Sequence, residues 1–311
     1  MKIGFKTNQS DVEWSELLEA WEVADGLTAI DSGWLWDHFV DVPRPLQSHP
    51  PSPAGSHEAF TLAAALGART TRLQFGHLVL GNTYRHPALV AKMGATLDHI
   101  VGGRFVLGLG AAWHEPEHAM YGWPFPPIGE RMTALDAALR VIKGMWASPD
   151  GFSASAGPYT LVDAICKPAP LTPGGPPVWV GTHGKQRGLR ILAKHADGWT
   201  TTSDGWTPSN AGSFPTFIEE RDALFRHCES LGRAPESIEI SVRIFTDTER
   251  GFIPASELVA EASAYAKAGA RHIVFAVRGD EGQRLPSVVE RLAREVAEPI
   301  HQSFDQPAKS I

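Results

Sequence analysis

Short apolar runs alternate along the chain with longer stretches in which apolar residues recur every third or fourth position. The runs are Ile3 to Phe5, Ala29 to Trp36, Leu73 to Leu80, Phe105 to Leu109, Val178 to Val180, Gly198 to Thr202, Ile238 to Phe245 and His272 to Val277. After the first run, Ser10 and Glu13 have the spacing of a capping box, and Trp14, Leu17, Leu18 and Trp21 fall on one helical face. Helices are also predicted at about 58–68, from Pro87 to Ile100, through Leu135 to Trp146, and at about 186–196, 214–231, 254–268 and 285–298. Pro87 suits a first helical turn and Gly102-Gly103 a stop. A Pro-rich loop spans Pro43 to Pro53, and residues 147–177, rich in Pro, Gly and Ser, read as an insertion.

The strand candidates are continuously apolar, not alternating, as expected when both faces of a sheet are buried. Strand and helix in strict alternation imply a parallel sheet, and eight such units close as a barrel. The prediction is an α/β chain folded as one (β/α)₈ barrel of the TIM type over residues 1–311. An open doubly wound sheet is the rival, weakened because no Gly-x-Gly-x-x-Gly follows the first strand. A barrel of this kind carries its site at the C-terminal strand ends. Those ends read Thr7-Asn8-Gln9, Asp37-His38, Gly81-Asn82-Thr83, Gly110-Ala111-Ala112-Trp113, Gly181-Thr182-His183-Gly184 and Thr201-Thr202. They are polar, small and aromatic with few acids, so no metal site is expected.

Composition narrows the function class. A net charge of −7 argues against a general nucleic-acid binder. The two cysteines lack metal-ligand spacing and form no disulfide framework, which fits a reducing cytoplasm. No run reaches the ~18 apolar residues of a membrane span, and Met1 to Phe5 is too short for a signal peptide. A cytoplasmic location and a small-molecule substrate are expected. Ten Trp supply large apolar faces, for packing or for stacking on a flat ligand.

Three segments carry candidate chemistry. His114-Glu115-Pro116-Glu117-His118 has the spacing of a zinc-protease helix, but Pro116 disrupts the continuous helix that chemistry needs. Gly181 to Gly184 lets a ligand approach the backbone and leads to a helix start whose amides favour phosphate, with Lys185, Arg187 and Arg190 nearby. A plain βα turn explains the same glycines. His38, after strand two, can exchange a proton near neutral pH, or simply bond loop backbone.

Trp36-Asp37-His38-Phe39, GHLVLGNTYRHP from Gly76, GGRFVLGLGAAWHEPEH from Gly102, YGWPFPPIGER from Tyr121 and Ala196-Asp197-Gly198-Trp199 together resemble the luciferase-like monooxygenases, in the branch that uses the deazaflavin coenzyme F420. The resemblance covers about residues 1–300 and implies a bacterial-luciferase-like (β/α)₈ barrel with insertions. It implies a non-prolyl cis peptide at Leu78-Val79 against the flavin ring and a phosphate site at Gly181 to Gly184, where Thr182 and His183 replace the glycine run of many relatives. Implied cofactor contacts are Asp37, Leu78, Val79, Asn82, Arg85, Gly110, Ala111, Trp113, Gly181, Thr182, His183 and Gly184. His38 is the implied catalytic residue, and Trp36 and Trp113 shape the substrate pocket. Sugar-phosphate dehydrogenase relatives add a Trp and a Glu with no match here. The implied activity is hydride transfer between F420 and a small organic substrate. An FMN-dependent monooxygenase using oxygen and a non-catalytic flavin-binding barrel are the alternatives. Members are often dimers, so a homodimer is among the expectations.

Overall fold

The computed structural model describes residues 1–42, 52–203, 213–248, 251–279 and 283–305. Eight parallel strands close into a barrel: β1 (Lys2–Thr7), β2 (Ser32–Leu35), β3 (Gln74–His77), β4 (Phe105–Gly110), β5 (Val178–Gly181), β6 (Gly198–Thr202), β7 (Glu239–Phe245) and β8 (His272–Val277). Closure comes from β1 pairing with β8 (Lys2 opposite His272) and β4 with β5 (Val178 opposite Leu107). Helices α1 (Trp14–Gly26), α2 (Ala59–Arg69), α3 (Pro87–Ile100), α4 (Glu115–Tyr121), α5 (Ile128–Ala147), α6 (Arg187–His195), α7 (Phe214–Ser230), α8 (Ala255–Lys267) and α9 (Leu285–Leu292) follow the strands. The chain then continues through a π turn at Ala293–Ala297 into α10 (Glu298–Asp305).

Every residue of β4 and β8 is buried, which is why these strands are apolar throughout. Outward side chains of the barrel meet the helices: Trp21 of α1 stands edge-on to Phe5 of β1 and to Phe75 of β3. Leu17 beside it is fully buried, a contribution of about 1.5–3 kcal/mol for a side chain of that size. The inward side chains form a separate cluster of Trp34, Leu78, Val106, Trp179 and Val274. Trp34 and Trp179 stack there with centroids 4.8 Å apart, filling the barrel below the strand ends. At the opposite end, Arg72 donates to the carbonyls of Ala24, Leu27 and Ile30, and Arg104 to those of Gly67, Thr70 and Leu73. They close off helix C-termini that would otherwise leave acceptors unsatisfied.

The departures from the predicted elements have local causes. Ser10 does not cap α1; it pairs with Ser56 in an isolated bridge, and Glu13 takes the cap position without a side-chain hydrogen bond. The second run shortens to β2 because Ile30 closes a turn onto Leu27. The third run is broken: β3 ends at His77, the Leu78–Val79 peptide is cis, and Leu80–Gly81 resumes pairing with β4. The helix predicted from Leu135 begins at Ile128. The segment 147–177 contains an antiparallel hairpin, Phe152–Ala156 with Tyr159–Ala164. Residues 43–51 of the predicted Pro-rich loop lie outside the described residues.

Candidate active site

The C-terminal strand ends enclose a cavity of about 720 Å³, within the usual range for small-molecule sites. Trp36, Asp37, His38, Leu78, Val79, Gly110, Ala111, Trp113 and Gly181-Thr182-His183-Gly184 all line it. Asn82 and Arg85 do not. Asn82 is buried and its amide nitrogen donates to Tyr159 of the hairpin. Arg85 donates two hydrogen bonds to Asp37, at 2.8 and 2.9 Å, and one to Glu58 at 2.6 Å. Arg85 spends three of its five N–H groups on these two carboxylates, which places it behind the cavity wall as the buried counter-charge of Asp37. Burial pushes the Asp37 carboxyl up, with Arg85 opposing it. Asp37 also accepts from the amide of Gly81 and so ties the β2 end to the β3 end.

Leu78 to Leu80 form an apolar ledge in the cavity wall. Two glycines make room for it. A Cβ on Gly110 would come within 2.8 Å of Val79 Cγ2, and one on Gly181 within 3.0 Å. With Gly81 and Ala111 beside them, the ledge is bordered by residues with little or no side chain, which leaves its aliphatic surface open to the cavity.

His38 lines the same cavity from β2's end, its ring held edge-on between Trp36 (5.3 Å) and Trp113 (5.4 Å). Trp36 is fixed by donating to Ser56, whereas Trp113 is 42% exposed at the mouth. The Nδ1 of His38 lies 3.0 Å from Glu117 of α4, a fully buried carboxylate. Glu117 also accepts from the amides of Phe39 and Val40 and from the hydroxyl of Tyr84. Burial alone would push the Glu117 carboxyl up, but contacts from His114, His38 and Tyr84 outweigh it and hold the group well below the usual carboxylate range. Tyr84, buried beside that charge, is pushed far above its ordinary value and stays protonated.

On the far side, Gly184 takes a positive φ of 88°, and its amide is already bonded to Glu220 of α7. His183 lies 3.5 Å from the same carboxylate, so Glu220 braces the loop from behind. Lys185 pairs with Glu219, and Arg187 donates to Gly129 and Thr133. Lys6, Arg243 and Arg278 add three cations to the lining, and Asp37 is the one carboxylate among the lining residues described. Cationic side chains thus outnumber carboxylates in the lining, with Arg278 lying 3.9 Å from Asp41.

The sequence pattern missed Glu117 and Tyr84 as site residues, and the cations Lys6, Arg243 and Arg278. The zinc spacing was the available signal for Glu117. Pro116 sits in the first turn of α4 with His114 at the cap. His118 is turned instead toward Thr83 and bonds the His114 carbonyl. The side chains that do converge are His38, His114 and Glu117, with ligand-type atoms within 4.8 Å of one another. A carboxylate has about four acceptor positions, and Glu117 already serves four donors. His114 Nδ1, 3.7 Å from Glu117, is buried without a hydrogen-bond partner among the described residues.

Fold and cavity define a (β/α)₈-barrel protein with a built small-molecule site on its catalytic face. A family model described as luciferase-like monooxygenase matches residues 6–247, and the chain belongs to that family. It is 30% identical over 258 residues to the F420-dependent glucose-6-phosphate dehydrogenase of Amycolatopsis mediterranei (strain U-32), covering 80% of this chain and 71% of that one. Over 147 residues it is 32% identical to the FMNH(2)-dependent dimethylsulfone monooxygenase of Pseudomonas putida, covering 47% of this chain and 39% of that one. An F420-dependent secondary alcohol dehydrogenase, solved with an F420-acetone adduct, superimposes with a TM-score of 0.78 at 16% identity, over 95% of this chain and 98% of that one. The chain is thus a luciferase-like oxidoreductase by family. Among the described residues, no helix is long and apolar enough to cross a membrane.

Proposed function

We propose that this protein is a deazaflavin-dependent oxidoreductase that transfers a hydride between coenzyme F420 and a small organic substrate. The observation that carries the reading is the apolar ledge of Leu78 to Leu80, given room by Gly110 and Gly181, in a cavity that His38 also lines. The similarity to F420-dependent relatives supports the choice of deazaflavin over FMN. When bound, the deazaflavin supplies the hydride acceptor or donor. The ledge would hold the ring, and the 181–184 loop with the first turn of α6 would hold the phosphate of its tail. Trp36 and Trp113 flank the substrate and exclude water. His38 takes up the proton that the substrate loses on oxidation and returns it on reduction.

Titrating apo-protein with F420 and with FMN tests the cofactor. Saturable F420 binding with weak or absent FMN binding is expected; tight FMN binding with none for F420 would sink the proposal. Replacing His38 by Ala is expected to lower turnover by on the order of 10²–10⁴-fold while cofactor affinity changes little. Unchanged turnover would remove His38 from the chemistry.

A further inference from the structure

We infer that Glu117 is the positioning residue for His38: it fixes which ring nitrogen carries the permanent proton and so presents Nε2 to the substrate. The inference rests on the proposed proton-exchange role of His38, and it adds a residue that faces away from the cavity.

The chemistry follows from one contact. Glu117 Oε2 lies 3.0 Å from His38 Nδ1. The carboxylate is ionised and can only accept, so the hydrogen between them belongs to His38. Neutral His38 is therefore the Nδ1–H tautomer. Nε2, on the opposite edge of the ring, is the atom that gains or loses a proton toward the cavity. Glu117 is itself clamped. The amides of Phe39 and Val40 and the hydroxyl of Tyr84 all donate to it, so the carboxylate and the backbone following His38 move as one body. The edge-on rings of Trp36 and Trp113 fix the remaining freedom of the imidazole.

The charged and titratable groups around His38 are few. Glu117 and His114 face it from α4 and its cap, with His114 Nδ1 3.7 Å from the same Glu117 oxygen. Tyr84 acts through Glu117, the Asp37–Arg85 pair lies next along the chain, and Lys6 sits 4.6 Å over the Trp36 ring. Glu117 is the negative charge within hydrogen-bond reach, and it becomes the counter-charge when His38 is protonated.

The test uses ¹⁵N-histidine-labelled full-length protein without cofactor, so the readout does not depend on turnover. The expected His38 signal is an Nδ1–H tautomer in the wild type, lost in Glu117→Gln. In steady state, Glu117→Gln is expected to lower kcat by on the order of 10²-fold with KM within a few-fold. Glu117→Asp should restore part of kcat. In a His38→Ala background the same substitution should cost nothing further, which separates positioning from general damage to the fold. If Glu117→Gln does not fold, Tyr84→Phe, which removes one of the clamping donors, should weaken the tautomer preference in the same direction. An Nε2–H tautomer in the wild type, additive losses in the double variant, or stoichiometric zinc on the His38–His114–Glu117 cluster would each overturn the inference. An intact tautomer with no turnover on any donor would instead count against the proposed function.

Discussion

At the scale of single residues, the buried carboxylates decide the behaviour of the site. Asp37 belongs to the short stretch that follows β2, and Glu117 of α4 is hydrogen-bonded to the next residues of that stretch. One is neutralised by Arg85 and the other is shared among hydrogen-bond donors. Removing one partner of a buried ion pair leaves the other charge uncompensated. Arg85→Met is therefore expected to lower unfolding free energy by about 3–5 kcal/mol, measured by urea denaturation, and Arg85→Met with Asp37→Asn to recover much of it. Residues of this kind were only half legible in the sequence. Trp36-Asp37-His38 stood out because it ends a strand. The partners Arg85, 48 positions on, and Glu117, 79 positions from His38, were visible as letters but not as partners. Pairing across such distances is set by the closed barrel, and no local spacing records it. Lys6 and Arg243 were hidden for a related reason. Inside a strand buried on both faces, one inward cation does not disturb the apolar run around it.

Elements place these residues, and here the sequence was more informative. Eight apolar runs gave eight strands, with ends displaced by a few residues, because burial on two faces leaves a mark that tertiary context does not erase. What periodicity could not show was the break inside the third run, where the ledge leaves the strand direction. Short α4 was obscured by Pro116, and the hairpin of residues 152–164 by its Gly and Ser content. The glycines around the ledge yield a comparison. A Cβ on Gly108 would lie 1.9 Å from the backbone carbonyl of His77, whereas one on Gly110 meets the side chain of Val79. Gly108→Ala is therefore expected to destabilise the barrel by more than the roughly 1–3 kcal/mol of ordinary overpacking. Gly110→Ala should leave thermal stability nearer wild type and weaken cofactor binding at least about tenfold by displacing Val79. Thermal denaturation and cofactor titration on the two variants check this ordering.

At the scale of the whole molecule, the barrel buries histidines that it keeps uncharged. Burial pushes His77 down to about 4, and it lowers His272 despite the opposing Glu239 contact. A depressed folded-state value means the unfolded chain takes up its proton first. The stability present above pH 6.5 is then lost as pH falls toward about 4. The melting temperature is expected to drop across that window, and His77→Gln, which can still donate to the Ala59 carbonyl, should flatten the drop. A profile unchanged in that variant would remove His77 as a cause. The same interior holds the stacked indoles of Trp34 and Trp179, and Leu78 belongs both to their cluster and to the cavity wall. One aliphatic layer thus separates a pair of near-ultraviolet absorbers from anything resting on the ledge. A pigment seated there would drain their excitation and dim the protein's own glow, so the barrel carries a built-in optical gauge of occupancy that needs no label and no substrate.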